Sequence, residues 1–186
     1  MTNLITNPQG LSPYELVMDK VLEYAKVDAT QIETLMTMIA YHETGPEQRM
    51  LPEAQQIKGP GRGLFQYELA ASPEYPTASG AGKTAMTRLL TTLGEENLPK
   101  WAFKYFDRNP WTQQLEQEGD VDFSELTEEQ QKLLFLADKL QDPAVKLGEI
   151  GTVSDSTWWA KYHHKGGGST EKFDASKRSY LNNSIK

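Results

Sequence analysis

Apolar residues recur every three to four positions over most of the chain, which is the spacing of a helix face and predicts a mainly α-helical protein. The predicted helices cover about 13–26, 30–43, 82–93, 98–109, 128–142, 143–149, 156–164 and 170–182. Three of them are expected to begin with a capping box, in which two residues three apart cap each other's backbone: Ser12 with Glu15, Thr30 with Glu33, and Thr127 with Gln130.

The second predicted helix ends on a carboxylate that lies on its apolar side. Ile32, Met36 and Ile39 mark that side, and a further step of four residues reaches Glu43. The pair Gly45–Pro46 then ends the helix. Proline cannot continue a helix, and glycine readily adopts the left-handed backbone conformation that often follows a helix end. A glutamate on the core-facing side of a helix end is a first candidate for chemistry.

A long loop follows this helix. Residues 46–79 are rich in proline and glycine, which predicts irregular structure with room for one hairpin around 57–67. Strands are expected in this region alone. Long loops inside a compact domain usually carry function, so this loop is a second candidate part of a site.

The charge balance and the apolar segments argue against several classes of protein. Nineteen basic against 26 acidic residues give a net charge of −7, which disfavours a protein that grips nucleic acid or an anionic membrane. The chain has no cysteine, so disulfides and thiolate metal sites are excluded. The first residues do not form a signal peptide and no long apolar run occurs, so neither a membrane span nor the usual secretion is expected.

Residues 77–84 end in Gly-Lys-Thr, as a nucleotide-binding P-loop does. That motif requires a glycine where this chain has Thr77. The residues before it, AASPEYP, do not suit the buried parallel strand that a P-loop follows. We interpret the segment as a glycine turn into a helix, with Lys83 on the surface.

The three histidines do not match a known metal motif. The zinc-protease pattern requires a second histidine four residues after His42, and that position is Pro46. His163 and His164 are adjacent and point to different sides of a helix, so at most one of them can share a site with His42. Neither a metal nor a cofactor is expected.

The segment HETG at the end of the second helix, followed by a loop and GRGLFQYE, resembles the lytic transglycosylase and goose-type lysozyme superfamily. Glu43 and Thr44 match the family's glutamate and the Ser or Thr after it, and Gly63, Leu64, Phe65 and Gln66 match its glycine turn. Near the end, Tyr162 matches a family tyrosine, whereas His163 replaces the asparagine that usually follows. The resemblance implies a lysozyme-like α-helical domain with a small hairpin and loop region.

The resemblance also implies roles for these residues. Glu43 would be the catalytic acid and Tyr162 would orient it. The residues expected to contact substrate are Thr44, Gly63, Leu64, Phe65, Gln66, Tyr162 and His163.

The chemistry explains why a glutamate on an apolar stripe suits this role. Cleavage of a glycosidic bond needs a carboxylic acid that keeps its proton near neutral pH, and apolar surroundings favour the protonated form. In a transglycosylase the sugar's own C6 hydroxyl attacks, so one carboxylate suffices. A hydrolytic muramidase instead needs a second carboxylate to hold water, for which Glu53, Glu68 and Asp155 are candidates.

Within this superfamily, the chain most resembles the peptidoglycan-cutting domains of phage virions. It implies a catalytic domain over 1–168 and a polar C-terminal tail helix over 169–186. The expected partners are peptidoglycan glycan strands and other virion proteins. The expected place of action is the bacterial periplasm, reached with the virion.

Two alternatives stay open from the sequence. The protein can be a virion structural or binding module that keeps a lysozyme-like fold without activity, because a fold does not fix a function. Without the downstream glycine turn, Glu43 would be read as a solvated residue paired with Arg49 or Arg62.

Overall fold

The computed structural model of the protein describes residues 7, 10–164 and 168–184 and is mainly α-helical, as the sequence pattern predicts. The helices are α1 (Pro13–Ala25), α2 (Ala29–Glu43), α3 (Ala81–Leu93), α4 (Glu128–Gln141), α5 (Asp155–Trp158) and α6 (Thr170–Ser184). A π-helical turn, Trp159–His163, continues α5. Short 3₁₀ helices lie at Glu95–Asn97, Lys100–Tyr105, Phe123–Glu125 and Leu147–Glu149.

The described strands form antiparallel hairpins. In the first, β1 (Gly61–Arg62) pairs with β2 (Tyr67–Glu68), which matches the hairpin predicted around 57–67. In the second, β3 (Phe106–Arg108) pairs with β4 (Leu115–Gln117).

The helix starts follow capping chemistry, with one correction. The boxes at Ser12 and Thr127 form as predicted. Helix α2, however, is capped by Asp28, which accepts a hydrogen bond from the backbone N–H of Gln31 at 2.9 Å. The helix therefore begins before Thr30, and the predicted box from Thr30 to Glu33 is wrong because an aspartate two residues earlier caps the same end.

The second hairpin replaces a predicted helix. The segment expected to be helical over 98–109 forms the 3₁₀ turn Lys100–Tyr105 and then β3. Phenylalanine and tyrosine favour strands, and the side-chain oxygen of Asn109 accepts from the backbone N–H of Trp111 at 2.8 Å to form the turn. Strands are therefore not confined to the loop after α2.

The core lies between α1, α3 and α4, and the buried residues of α2 belong to the same cluster. Helix α3 packs along α4, and α1 packs against both. Ile32, Met36 and Ile39 of α2 are fully or almost fully buried, which confirms the apolar stripe read from the sequence. The last turn of α2 therefore delivers Glu43 toward the interior.

Helix α6 is docked on the rest of the protein. It packs against α2 and α5, and its Phe173 is fully buried. The Tyr41 and Tyr180 rings meet edge to face at 5.2 Å. The helix predicted in the C-terminal tail thus packs against α2. The predicted ranges 1–168 and 169–186 both include residues outside the described part of the chain.

Among the described residues, every helix is too short or too polar to cross a membrane. Lys83 is exposed near the start of α3, and the residues before that helix are irregular, as expected for a glycine turn rather than a P-loop.

Candidate functional site

Glu43 is the last residue of α2, and Thr44 caps the helix behind it. The Thr44 hydroxyl donates to the carbonyl of Ala40 at 2.8 Å and accepts from the backbone N–H of Met50 at 3.0 Å. Thr44 is buried and does not line the cleft described below. Both functions of the Thr44 hydroxyl serve the end of the helix, and its predicted contact with substrate stays a prediction.

The Glu43 carboxyl is held from one side by an indole. The Nε1–H of Trp159 donates to Glu43 Oε1 at 2.6 Å, and His163 Nε2 lies 3.6 Å from the same oxygen. Only 14% of the Glu43 side chain is exposed. Burial raises the pKa of Glu43 above its usual value, while the bond from Trp159 and the nearby His164 and Lys139 act in the opposite direction.

Neither arginine considered as a partner reaches Glu43. Arg49 donates instead to the hydroxyl of Tyr41 and stacks on its ring. Arg62 lies 3.9 Å from Asp122 and donates to backbone carbonyls of its own loop. The solvated ion pair envisaged for Glu43 is therefore not formed.

The glycine turn between β1 and β2 is fixed to α4 by a buried glutamine. The carboxamide oxygen of Gln131 accepts from the backbone N–H of Leu64 at 2.7 Å, and its Nε2 donates to the carbonyls of Pro52 and Leu126. Gly63 has a φ of +73°, and a Cβ there would meet Gln131 Oε1 at 2.4 Å. Only glycine suits this approach of turn and side chain.

The four residues of this turn divide between core and cleft. Gly63 and Leu64 are buried and are not among the residues that line the cleft, and the contact predicted between their backbone and a sugar stays a prediction. Phe65 stacks on Phe135 with ring centroids 4.4 Å apart, and it is among the residues that line the cleft. Gln66 also lines the cleft, and its Nε2 donates to the carbonyl of Gly63 at 2.7 Å.

The π-helical turn sorts the aromatic residues onto two sides. The backbone N–H of His164 bonds the carbonyl of Trp159 at 2.9 Å, which is the five-residue step of a π-helix. Trp159 and His163 then face Glu43, whereas Trp158 and Tyr162 pack on each other with centroids 5.4 Å apart.

This arrangement corrects the role predicted for Tyr162. Its hydroxyl makes no hydrogen bond to Glu43, and Tyr162 does not line the cleft. Its ring lies under Lys161, which pairs with Glu149. The residue that holds the carboxyl is Trp159, for which the sequence predicted no contact with Glu43.

His163 is a neutral, buried member of the site. Its Nε2 lies 3.0 Å from the carbonyl of Phe65, and a carbonyl only accepts, so Nε2 carries the proton. Burial, and then the charge of Lys139, holds the pKa of His163 well below its usual value. The uncharged ring therefore borders Glu43 without forming an ion pair with it.

These residues border a cleft of about 460 Å³. Its walls come from the end of α2, the first hairpin, α3, α4 and the π-helical turn. The lining residues are Glu43, Gln56, Phe65, Gln66, Tyr67, Glu68, Ser79, Ala81, Thr84, Arg88, Asp138, Lys139, Asp142, His163 and His164.

A charged network forms one wall of the cleft. Asp138 accepts from the Tyr67 hydroxyl at 2.6 Å and pairs with Lys139 at 3.0 Å and with Arg88. Arg88 also pairs with Asp142 at 3.1 Å. Burial alone would raise the pKa of Asp138, but Lys139, Tyr67 and Arg88 together hold it below its usual value.

The candidates for a second carboxylate differ in position. Glu68 lines the cleft and accepts from the backbone N–H of Ser79 at 2.8 Å. Glu53 is exposed outside the cleft, and Asp155 pairs with Lys177. Within the described residues, no group of three or more His, Asp or Glu side chains is arranged to hold a metal ion.

No protein-family model, curated protein or solved structure matches the chain. The chemistry of the site therefore rests on the residues around Glu43. These are a partly buried carboxyl with a raised pKa, an indole donor, a neutral histidine and an open cleft lined by polar groups.

Proposed function

We propose that the protein cleaves the glycan strands of peptidoglycan as a lytic transglycosylase, with Glu43 as its single catalytic carboxyl. The observation that carries the proposal is the Glu43 side chain, which is mostly buried, has a raised pKa and borders a cleft together with Gln66. A carboxyl that keeps its proton near neutral pH is what protonation of a glycosidic oxygen requires.

In the proposed reaction, Glu43 first gives its proton to the oxygen that bridges two sugars, and the bond from that oxygen to C1 breaks. The C6 hydroxyl of the same sugar then attacks C1, and its proton passes to the Glu43 carboxylate. The product carries a 1,6-anhydro ring, and Glu43 returns to its starting protonated form. No water enters the balance.

The surroundings of Glu43 suit both halves of this cycle. Burial favours the acid before the first step, and the Trp159 N–H stabilises the carboxylate formed by it. Lys139, a buried residue of α4, adds a positive charge near the same group. Gln66 keeps its carboxamide oxygen as an acceptor for an N-acetyl group, because its Nε2 is engaged by Gly63.

The other acidic residues favour the transglycosylase over a hydrolase. Asp138 is paired with Lys139 and Arg88, and Asp142 is paired with Arg88, so neither is a ready base for water. Glu68 is the remaining acidic side chain that lines the cleft, which makes a hydrolytic muramidase the second candidate. Carriage of the protein to the periplasm with a virion, with other virion proteins as partners, belongs to the same proposal.

The test is cleavage of purified peptidoglycan by the wild-type protein and by Glu43→Gln. The variant keeps the shape of the side chain and removes the proton donor, so a loss of activity of about 10²–10⁴-fold is expected. Glu53→Gln is the matched control, because Glu53 is exposed and lies outside the cleft. Equal activity of wild type and Glu43→Gln would reject the role of Glu43.

Mass spectrometry of the products separates the two candidate reactions. Anhydro ends are expected for the transglycosylase, and reducing ends would assign the protein as a muramidase. A wild-type protein that binds peptidoglycan without releasing any fragment would instead identify a non-catalytic module.

A further inference from the structure

The two oxygens of the Glu43 carboxyl have different surroundings. Oε1 receives the indole N–H of Trp159 at 2.6 Å and lies 3.6 Å from His163 Nε2. Oε2 makes no hydrogen bond to any described residue, and it is not fully enclosed by the protein. Because Glu43 borders the cleft, Oε2 is the oxygen that remains open to a ligand.

The indole N–H can only donate, so the oxygen that faces it must accept. In the protonated carboxyl, the accepting oxygen is the carbonyl and the other oxygen carries the proton. We propose that Trp159 is a positioning residue that fixes the acid proton of Glu43 on Oε2, facing the cleft. This inference deepens the proposed function and rests on it for its catalytic meaning.

Trp159 is itself held on more than one side. Its ring meets that of His42 edge to face at 4.7 Å, and Phe173 of α6 lies at 5.2 Å. A Cβ on Gly168 would meet the indole at 2.2 Å, so the backbone there also approaches the ring closely. The donor is therefore fixed by α2, by α6 and by the chain before α6.

His163 prevents a competing arrangement at Oε1. Its Nε2–H is directed to the carbonyl of Phe65, 3.0 Å away, rather than to Glu43. The charged or titratable groups around the carboxyl are Lys139 on α4 and His163 and His164 at the π-helical turn. None of these groups forms a hydrogen bond to Oε2, so the proton there faces the cleft without a competing acceptor.

The experiment removes the indole N–H and keeps the ring. Trp159→Phe does this with a smaller ring, and benzothienylalanine at position 159 does it with the indole shape retained. Loss of a donor to the carboxylate raises the midpoint of Glu43 protonation by about one pH unit, or tenfold in the ionisation constant. Infrared difference spectra of the free protein, with Glu43→Gln subtracted, give this midpoint, and they also give the carbonyl frequency, which rises when the donor is lost.

Trp158→Phe is the matched control. Trp158 is the adjacent buried tryptophan, and its Nε1 has no hydrogen-bond partner among the described residues. The substitution therefore removes an indole N–H that does not contact Glu43. The midpoint and the carbonyl frequency are expected to change for both replacements of Trp159 and to stay constant for Trp158→Phe. An unchanged midpoint and frequency in the benzothienylalanine protein would overturn the proposal.

The effect of Trp159 on catalysis is measured separately, as turnover on peptidoglycan at a series of pH values. With the proton free to occupy either oxygen, turnover on peptidoglycan is expected to fall about tenfold, and the loss of activity toward high pH moves upward by about one pH unit. If Trp159 were only structural, its replacement would lower the melting temperature but leave the pH at which activity is lost unchanged. If the wild-type protein does not cleave peptidoglycan, the proposed function fails, while the infrared result still decides where the Glu43 proton sits.

Discussion

The carboxamide oxygen of Gln131 accepts a hydrogen bond from the backbone N–H of Leu64 at 2.7 Å and so ties α4 to the turn between β1 and β2. The same side chain donates to the carbonyls of Pro52 and Leu126, each at 2.9 Å. One buried glutamine thus satisfies three backbone groups from three parts of the chain. The position of Gln66 beside the cleft depends on this connection.

Gln131→Leu should destabilise the protein strongly. It leaves the three backbone groups without their partner, and each unsatisfied buried polar group costs about 1–3 kcal/mol. We expect the free energy of unfolding, measured by urea denaturation, to fall by at least ~3 kcal/mol. Gln114→Leu, at an exposed glutamine, should change it by less than ~0.5 kcal/mol, and equal values for the two variants would contradict the role of Gln131.

Gly63→Ala should cost more than the same change at Gly45. Both glycines have positive φ values, +73° and +64°, so alanine pays about 1–2 kcal/mol of backbone strain at either site. At Gly63 the new Cβ also meets Gln131 Oε1 at 2.4 Å, whereas at Gly45 it meets nothing within 4 Å. In urea unfolding, the free energy of unfolding is expected to fall by about 1–3 kcal/mol more for Gly63→Ala than for Gly45→Ala. Equal losses at both sites would show that the turn and Gln131 move apart at no cost.

The long helices α1, α2, α3 and α4 and the position of Glu43 were predictable from local patterns. Ile32, Met36 and Ile39 repeat at the helical period, and the same period places Glu43 on the buried side. Capping at Ser12 was equally readable, because a capping box involves residues only three apart. The start of α2 was missed because the sequence offers two capping boxes, Asp28 with Gln31 and Thr30 with Glu33, and the one with the better cap, aspartate, forms.

The partners of Glu43 were not predictable in the same way. Trp159 lies 116 residues from Glu43 along the chain, and no local pattern indicates that its N–H is aimed at a carboxylate. The π-helical step after α5 also decides which aromatic residues face the site, and that step has no sequence signature. The similarity of Tyr162 to a family tyrosine therefore assigned the wrong neighbour.

Glu43 should make the protein less stable as the pH rises. Its pKa is raised in the folded state, so between the unfolded pKa, about 4.3, and the folded value the folded chain binds more protons than the unfolded chain. The wild type should lose free energy of unfolding relative to Glu43→Gln across this window and stay level below it. Urea unfolding from pH 4 to 8 measures the difference, with Glu53→Gln as the exposed control; a difference that grows in favour of the wild type would refute the raised pKa.

Lys139→Met should make His163 easier to protonate. After burial, the charge of Lys139 is the main cause of the low pKa of His163, and its removal leaves Asp138 nearby to favour the imidazolium. Arg88 still pairs with Asp138, which limits the cost of the change. Nitrogen NMR of the imidazole should show the midpoint of His163 moving upward, whereas Lys132→Met, on the same helix but outside the cleft, should leave it in place. A His163 midpoint that is the same in the wild type and in Lys139→Met would mean that burial alone keeps the ring neutral.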